Sequence, residues 1–180
     1  MIQTIRLGHL LREAVTTPYR NLVTRPTGAA VRGRIERALA ESGCRTALLD
    51  FSDVDLLDLS CADEIVAKLL LVSAPCPDRY VVLWGLRDDQ VEAIDHVLSH
   101  QHLAVAALAA EAAVLDVLGA VDGDARAAFG CVAERGPVSA GAVAEALAWA
   151  EARARAALDL LAARRLVRVA GGAFHPLLVA

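Results

Sequence analysis

Residues 49–68, LDFSDVDLLDLSCADEIVAK, decide the fold of the first part of the chain. The apolar run that ends at Phe51 predicts a buried strand, and the acidic residues after it predict a tight loop. Ser60, followed three residues later by Asp63, predicts a helix start. The serine hydroxyl can accept a bond from a free helical N–H, while the carboxylate reaches back to the cap. The stretch therefore predicts a strand, a loop and a capped helix with an exposed hydroxyl.

This stretch resembles the signature of the STAS fold (sulphate transporter and anti-sigma factor antagonist). In that signature a strand ends in Asp, a V-x-x-x-D-S loop follows and a helix begins. The most similar variant is a STAS-like domain of unknown function with the pattern DFxxVxxxxxSxADE. The matching residues here are Asp50, Phe51, Val54, Ser60, Ala62, Asp63 and Glu64. The resemblance covers roughly residues 1–118.

The resemblance also implies a function for the loop. In anti-sigma factor antagonists a D-S-S-G loop presents a serine that a partner kinase phosphorylates, and the added charge breaks the complex. Aligning Asp58 with that aspartate puts Leu59 at the phosphorylated position, Ser60 one residue later and Cys61 at the glycine. The resemblance thus implies a partner-docking and possible phosphorylation site at Asp58, Ser60, Cys61 and Asp63. The implied partner is a histidine-kinase-like ATPase or another regulatory protein.

Two structural alternatives for this loop stay open in the sequence. In the first alternative, Ser60 is only a helix cap and has no regulatory role. Cys61, in the first helical turn, is either a thiol with a lowered pKa or a buried, inert one. Asp53, Asp55 and Asp58 resemble oxygen ligands for a hard cation, but their spacing does not fit a calcium loop, and a solvated docking loop is the preferred interpretation.

The rest of residues 1–118 alternates between strand and helix patterns. Strands are predicted at 2–11, 45–51, 80–86, 103–109 and 112–118, with a short one near 22–23 inside a loop at 12–26. Helices are predicted from a Thr27 cap through Ser42, over 60–73, and from Asp88 onward. The alternation predicts the α/β class: a STAS-like mixed sheet with packed helices, in which strand 45–51 is central.

After Gly119 the pattern changes to helices followed by a hairpin. Three helices are predicted: one at 125–134, a second that begins after a Ser139 cap, and a third at about 151–164. A hairpin is predicted at 166–175. This order resembles the winged helix-turn-helix domains of bacterial regulators over roughly the last 60 residues. The chain is therefore predicted to hold two domains, a STAS-like α/β domain at 1–118 and a C-terminal winged helix at 122–180.

The third of these helices carries the candidate DNA contacts. Its inward face is predicted to be Ala154, Ala157, Leu158 and Leu161. The arginines available to double-stranded DNA are Arg153, Arg155, Arg164 and, near the wing, Arg168. Arginine suits guanine edges and phosphates. Asp159 lies one turn after Arg155 and can pair with it, so a winged helix that contacts protein instead of DNA stays an alternative.

Charge and composition limit the classes of protein to which the chain can belong. The formal net charge is −4, divided into −5 over residues 1–120 and +1 over 121–180, so no basic footprint indicates nucleic acid. No apolar run approaches the roughly 18 residues of a membrane span, and the N-terminus lacks a signal-peptide pattern, which predicts a cytoplasmic protein. Cysteines 44, 61, 76 and 131 are predicted to be reduced and mostly buried.

Catalytic and metal-binding motifs are weak or missing. The chain has no G-x-S-x-G, phosphate loop or G-x-G-x-x-G, so neither an enzyme nor a cofactor is predicted. His96 and His100 lie one turn apart near Glu92, but exposed helical histidines are common and no metal is assigned. The sequence predicts a non-catalytic regulator with a docking domain and a DNA-binding winged helix, and leaves a homodimer open as one form of partnership. The alternative is a protein-interaction adaptor in a partner-switching pathway.

Overall fold

The computed structural model describes residues 2–15, 20–43, 45–73 and 79–178, in which strands and helices alternate up to residue 119. The elements are, in chain order, β1 (Ile2–Arg6), α1 (Leu7–Ala14), β2 (Asn21–Leu22), α2 (Arg25–Ser42), β3 (Thr46–Asp50), β4 (Leu56–Leu57), α3 (Leu59–Ala62), α4 (Lys68–Ser73), β5 (Tyr80–Leu86), α5 (Asp88–His100), β6 (Ala104–Ala109), β7 (Asp116–Gly119), α6 (Gly123–Arg135), α7 (Ala140–Leu147), α8 (Glu151–Ala163), β8 (Arg168–Ala170) and β9 (Ala173–His175). A π-helical turn, Asp63–Ala67, joins α3 to α4 without a break.

The central sheet has five strands in the order β1-β3-β5-β6-β7. All neighbouring strands are parallel except β6 and β7, which are antiparallel. Each new parallel strand is added on the same side of the one before it. Because crossovers between parallel strands are right-handed, the connecting helices must all lie on one face of the sheet. The structure is thus the predicted mixed α/β fold, with β3 in the interior and β5 at the centre.

The first face of the sheet forms one hydrophobic core with the crossover helices. Leu11 of α1, Ile35 of α2, Ile65 of the π-helical turn and Leu98 of α5 are all fully buried there. Alternate strand residues, such as Leu83 of β5, point into the same core. Burial of these apolar side chains is the main favourable contribution to this part of the fold.

The opposite face of the sheet is covered by the C-terminal helices. Val82, Ala106 and Val117 point away from the first core and pack in a second cluster with α6, α7 and α8. Phe129 of α6 and Leu158 of α8 belong to this cluster. Since one-directional winding leaves this face without crossover helices, the C-terminal segment supplies its apolar cover.

The C-terminal segment consists of three helices and a hairpin, in the predicted order. Strands β8 and β9 pair antiparallel, and Val138, just before α7, joins Phe174 of β9 by backbone bonds of 2.9 and 2.8 Å. The predicted inward face of α8 is confirmed, since Ala154, Ala157, Leu158 and Leu161 are buried. The division of the chain into two domains stays a prediction.

The strand predicted at 2–11 was too long. It ends at Arg6, and Leu7 begins α1. Leu7 and Leu11 are buried one helical turn apart, and Ala14 packs partly on the same core. This four- and three-residue spacing fits a helix, whereas strand alternation stops at Arg6.

The Thr27 cap predicted for α2 was also wrong. The helix begins at Arg25, and Pro26 occupies its first turn. Proline is tolerated there because the N–H that it lacks would have no partner inside the helix. Strand 80–86 was predicted correctly, and 45–51 and 103–109 to within one residue at either end, whereas 112–118 is a strand only from Asp116.

Candidate docking surface

The loop after β3 is fixed by a small two-stranded sheet. Strand β4 pairs in parallel with β2, and Leu22 and Leu57 point from these strands into the core. Backbone N–H groups extend the pairing on both sides, from Asp58 to the Leu22 carbonyl at 3.0 Å and from Asp55 to the Arg20 carbonyl at 2.7 Å. The pairing ends after Leu57 and positions Asp58 at the entry to α3.

Asp58 is the cap of the helical segment. Its Oδ1 accepts the backbone N–H of Cys61 at 2.7 Å and the hydroxyl hydrogen of Ser60 at 2.8 Å. Its Oδ2 accepts the backbone N–H of Thr24 at 2.9 Å, which ties the start of α3 to the residue before α2. One carboxylate therefore satisfies a free helical N–H and connects two helix starts.

The capping role predicted for Ser60 is wrong. The helix begins at Leu59, so Ser60 lies in the first turn, half-buried, as a donor to Asp58. Asp63 does not reach back to the cap either. Its two oxygens each lie 2.5 Å from a donor, Oδ2 from Arg25 and Oδ1 from the side-chain amide of Gln101. Of the four predicted docking residues, Asp58, Ser60 and Cys61 meet, while Asp63 belongs to a separate ion-pair network.

The Asp58 carboxylate is held in its charged form. Partial burial favours the neutral form, but the hydrogen bonds from Thr24, Cys61 and Ser60 outweigh it and lower the pKa of Asp58 below its ordinary value. A negative group added to the Ser60 oxygen would therefore face a fixed negative charge at hydrogen-bond distance.

Cys61 is a buried thiol, as one of the two sequence interpretations had it. Its side chain is fully buried, and Sγ lies 3.1 Å from the Thr24 carbonyl oxygen. Burial, assisted by the charge of Asp58, raises the pKa of Cys61 to about 12, so the thiol stays protonated and unreactive. Cys131 is likewise free and buried, whereas residues 44 and 76 lie outside the described part of the chain.

Glu64 is a buried carboxylate that sequence analysis noticed only as a motif letter. It is 3% exposed and pairs with Arg25 at 2.9 Å, with Arg32 at 3.4 Å and closely with Lys68. Burial opposes its charge, but the bonds from Lys68 and Arg25 prevail and lower the pKa of Glu64. The four-residue spacing to Lys68 was a visible signal. The two arginines of α2, more than thirty positions earlier, gave none.

The same network lies where α2 touches the helical segment most closely. A Cβ atom on Gly28 would lie 3.0 Å from Cβ of Glu64 and 3.1 Å from Cα of Cys61. Glycine therefore permits the close approach of α2. The π-helical turn begins at Asp63, next to this contact, and such turns occur frequently at functional sites.

Three exposed apolar side chains lie around the β2–β4 pair and the start of α3. Val23 is 40% exposed, and Leu56 and Leu59 are each 51% exposed. Together with Ser60 they are called the docking surface below. No role was predicted for these apolar residues from the sequence. The available signal was that leucines are interspersed with aspartates in the DLLDL run at 55–59, of which Leu56 and Leu59 are the exposed ones.

The arginines predicted to contact DNA differ in their surroundings. Arg153 makes a two-bond ion pair with Asp124, with both N–O distances 2.7 Å, and lies 4.3 Å from the ring centroid of Trp149. This bond lowers the pKa of Asp124. Arg155 is exposed on α8, and its guanidinium lies 5.6 Å from the ring centroid of Phe174 rather than against an acidic residue of the described chain.

The two remaining arginines contact other parts of the molecule. Arg164 donates a hydrogen bond to the carbonyl oxygen of Ala120, just after the last strand of the central sheet. Arg168 donates to the hydroxyl of Thr46 in β3 and lies 5.0 Å from the ring centroid of Tyr80. Both guanidinium groups thus attach the C-terminal segment to the sheet.

No three His, Cys, Asp or Glu side chains of the described residues, including the aspartates after β3 and the histidines of α5, are grouped so that they could hold a metal ion. None of the helices in this part of the chain has the length and apolar character needed to cross a membrane.

Comparison with known proteins adds no relative. No protein-family model, curated protein or solved structure matches this chain. The resemblance to STAS-like and winged-helix domains therefore stays a prediction from the sequence.

Proposed function

We propose that this protein is a non-catalytic regulatory adaptor with a STAS-like domain and a winged helix. The STAS-like domain docks a protein partner at the docking surface. The observation that supports this best is that exposed Leu59 directly precedes Ser60, whose hydroxyl is bonded to the charged carboxylate of Asp58, while exposed Leu56 lies on the strand that leads into Asp58. The leucines supply apolar contact area, and the hydroxyl supplies a position at which charge can be added.

Phosphorylation of Ser60 is the regulatory step in this proposal. A phosphoserine carries about −1.5 to −2 charge near neutral pH. The Ser60 oxygen lies 2.8 Å from Asp58, so the phosphate would repel that carboxylate and remove the hydrogen that it accepts. The charge would also stand beside Leu59, which disfavours the transfer of this leucine into an apolar interface. The unmodified serine therefore favours docking and the modified one opposes it.

The partner that we propose is a histidine-kinase-like ATPase, as the STAS resemblance implies. Two acidic residues lie beside the exposed leucines in sequence: Asp55, which is exposed and lies 3.9 Å from Arg87, and the charged Asp58. A complementary partner surface would therefore combine an apolar centre with basic side chains beside it. A second copy of this chain is the alternative occupant.

A matched pair of leucine variants tests the docking surface. Leu59→Asp introduces a charge at the centre of the surface, and Leu71→Asp does so at an equally exposed leucine of α4. Affinity capture identifies the partner, and titration with the purified partner gives the Kd of each variant. We expect Leu59→Asp and Ser60→Asp to weaken binding by about tenfold or more, and Leu71→Asp to leave it unchanged. Equal binding by wild type and Leu59→Asp would exclude this surface.

DNA binding by the winged helix is the second candidate function. In its favour, α8 exposes Arg155, and the order of three helices, the Val138–Phe174 pairing and a hairpin is that of a winged helix. Against it, Arg153 is neutralised by Asp124, and Arg164 and Arg168 are bonded inside the molecule. A single module would also neutralise few phosphates unless it dimerised. The adaptor is therefore the preferred function.

A further inference from the structure

A cleft of about 200 Å³ lies where the C-terminal segment meets the amino-terminal ends of β5 and β6. Its apolar wall includes Leu70 of α4, Val81 of β5, Val105 of β6, and Leu103 and Leu166 from the loops beside them. Because the wall combines residues before and after the last strand of the sheet, the cleft depends on the packing of the C-terminal segment against the rest of the chain.

The same cleft is lined by basic and not by acidic side chains. Arg79, His102, Arg164 and Arg165 line it, and no lining residue carries a carboxylate, although the whole chain has a net charge of −4. The guanidinium of Arg79 donates to the Leu39 carbonyl at 3.1 Å, and that of Arg164 donates to the Ala120 carbonyl. Neither Arg79 nor Arg164 forms an ion pair with a carboxylate of the described residues. No described carboxylate therefore neutralises the positive charge of these two arginines.

Arg79 also has an unsatisfied donor. Its Nε is buried and has no hydrogen-bond partner among the described residues. A buried donor on a charged group is costly to leave unpaired. An anion at the outer nitrogens of the same guanidinium stabilises its positive charge through charge-assisted hydrogen bonds.

We propose that this cleft binds a small organic anion. Its carboxylate or phosphate group is held by Arg79 and Arg164, and a short apolar body packs on Leu103 and Val105. The volume of about 200 Å³ is below the roughly 300 Å³ at which sites for drug-sized ligands begin, so the ligand is about the size of a single aromatic ring with its acidic group. The bound anion contacts both the sheet and the end of α8, and so joins the C-terminal segment to the sheet.

Four simple compounds and the full chain test this site. Benzoate and phenyl phosphate carry an anion on a ring, benzamide replaces the anion with a neutral amide, and inorganic phosphate lacks the apolar body. Saturable NMR shifts of the Val81 and Val105 methyl groups report binding. We expect benzoate or phenyl phosphate to bind about tenfold or more tightly than benzamide and inorganic phosphate, because each control lacks one of the two contacts. The stronger of the two anions distinguishes a carboxylate site from a phosphate site.

Arginine variants identify the residues that hold the anion. Arg164→Gln removes one cationic donor and should weaken the better anion about tenfold. Arg135→Gln, at an exposed arginine outside the cleft, should bind as wild type does. Equal affinity for benzoate and benzamide, the absence of saturable shifts at millimolar concentrations, or unchanged affinity in a folded Arg164→Gln would overturn the proposal. Should Arg164→Gln fail to fold, the comparison of benzoate with benzamide on the wild type decides alone.

Discussion

The hydroxyl of Ser60 donates to Oδ1 of Asp58 at 2.8 Å, and the same oxygen accepts the backbone N–H of Cys61 at 2.7 Å. The same carboxylate oxygen therefore caps the helix and accepts the hydrogen bond from the candidate modification site. Because Oδ2 holds Thr24, the hydrogen bonding of Asp58 extends to the start of α2. A charge added at Ser60 thus acts on the anchoring of two helices as well as on the docking surface.

The first prediction concerns Ser60→Asp. Had Ser60 been the cap, an aspartate there would have left the melting temperature nearly unchanged, since both residues cap well. With Asp58 as the cap, the substitution removes a donor and adds a like charge beside it. We expect a loss of about 1–2 kcal/mol in the free energy of unfolding by urea, against about 0.5–1 kcal/mol for Ser60→Ala. A Ser60→Asp protein as stable as the wild type would contradict the capping role of Asp58.

The second prediction is the pH dependence of the Asp58 contribution. Because the pKa of Asp58 is lowered in the folded protein, its stabilisation is complete above the ordinary value of 3.8 and is lost as pH falls through the folded value. Asp58→Asn keeps a capping oxygen without the charge. We expect the free energy of unfolding of the wild type to exceed that of this variant by about 1 kcal/mol at pH 7. The difference should shrink below pH 3.8.

Urea unfolding at several pH values measures that difference. Asp159→Asn, at an exposed aspartate of α8, controls for the change in net charge. A wild-type advantage over Asp58→Asn that stayed constant from pH 7 into the acid range would show that the charge of Asp58 does not stabilise the cap.

The third prediction compares two glycines of α2. Gly33→Ala meets no atom within 4 Å, so the gain in helix propensity should stabilise the protein by about 0.5–1 kcal/mol. Gly28→Ala brings a Cβ to 3.0 Å from Glu64 and 3.1 Å from the Cα of Cys61, and should cost about 1–2 kcal/mol net. Thermal unfolding of both variants provides the measurement. Equal stabilisation by both would mean that α2 does not pack closely at Gly28.

The fourth prediction concerns the cover of the second face of the sheet. A chain that ends at Val121 lacks α6, α7 and α8 and exposes Val82, Ala106 and Val117. We expect it to bind a hydrophobic dye and to self-associate, because exposed apolar patches of this kind promote association. Sedimentation of the truncated and full chains measures this. A monomeric fragment with a cooperative unfolding transition would support the division into two domains instead.

The fifth prediction separates the adaptor from a DNA-binding protein. We expect the wild type to select no sequence from random genomic fragments. Asp124→Asn, which frees Arg153, should gain weak binding that falls with salt, measured by fluorescence anisotropy. DNA binding would instead be established if the wild type enriched a sequence and the Arg153→Ala/Arg155→Ala double variant lost it. Each lost phosphate contact should then flatten the salt slope by about one unit.

The sequence by itself determined the elements whose side-chain periodicity is local. The continuous apolar run of 80–86 marked β5, and the spacing of Ala154, Leu158 and Leu161 marked the inward face of α8. Both signals depend only on neighbours within one element, so no knowledge of the tertiary structure was needed. The α/β class followed from the alternation of such elements.

Only the tertiary structure decided which residue caps the helical segment after β4 and which charges are neutralised. The cap is Asp58 and not the predicted Ser60, because the β2–β4 pairing ends after Leu57 and positions Asp58 at the start of the helix. Glu64 meets Arg32 across two packed helices, and Arg168 meets Thr46 from the other end of the chain. Both pairs join residues far apart in sequence. The Glu64–Arg32 pair forms because the crossovers bring α2 and the helical segment together on one face of the sheet, and the Arg168–Thr46 bond forms because the other face is left open for the C-terminal segment.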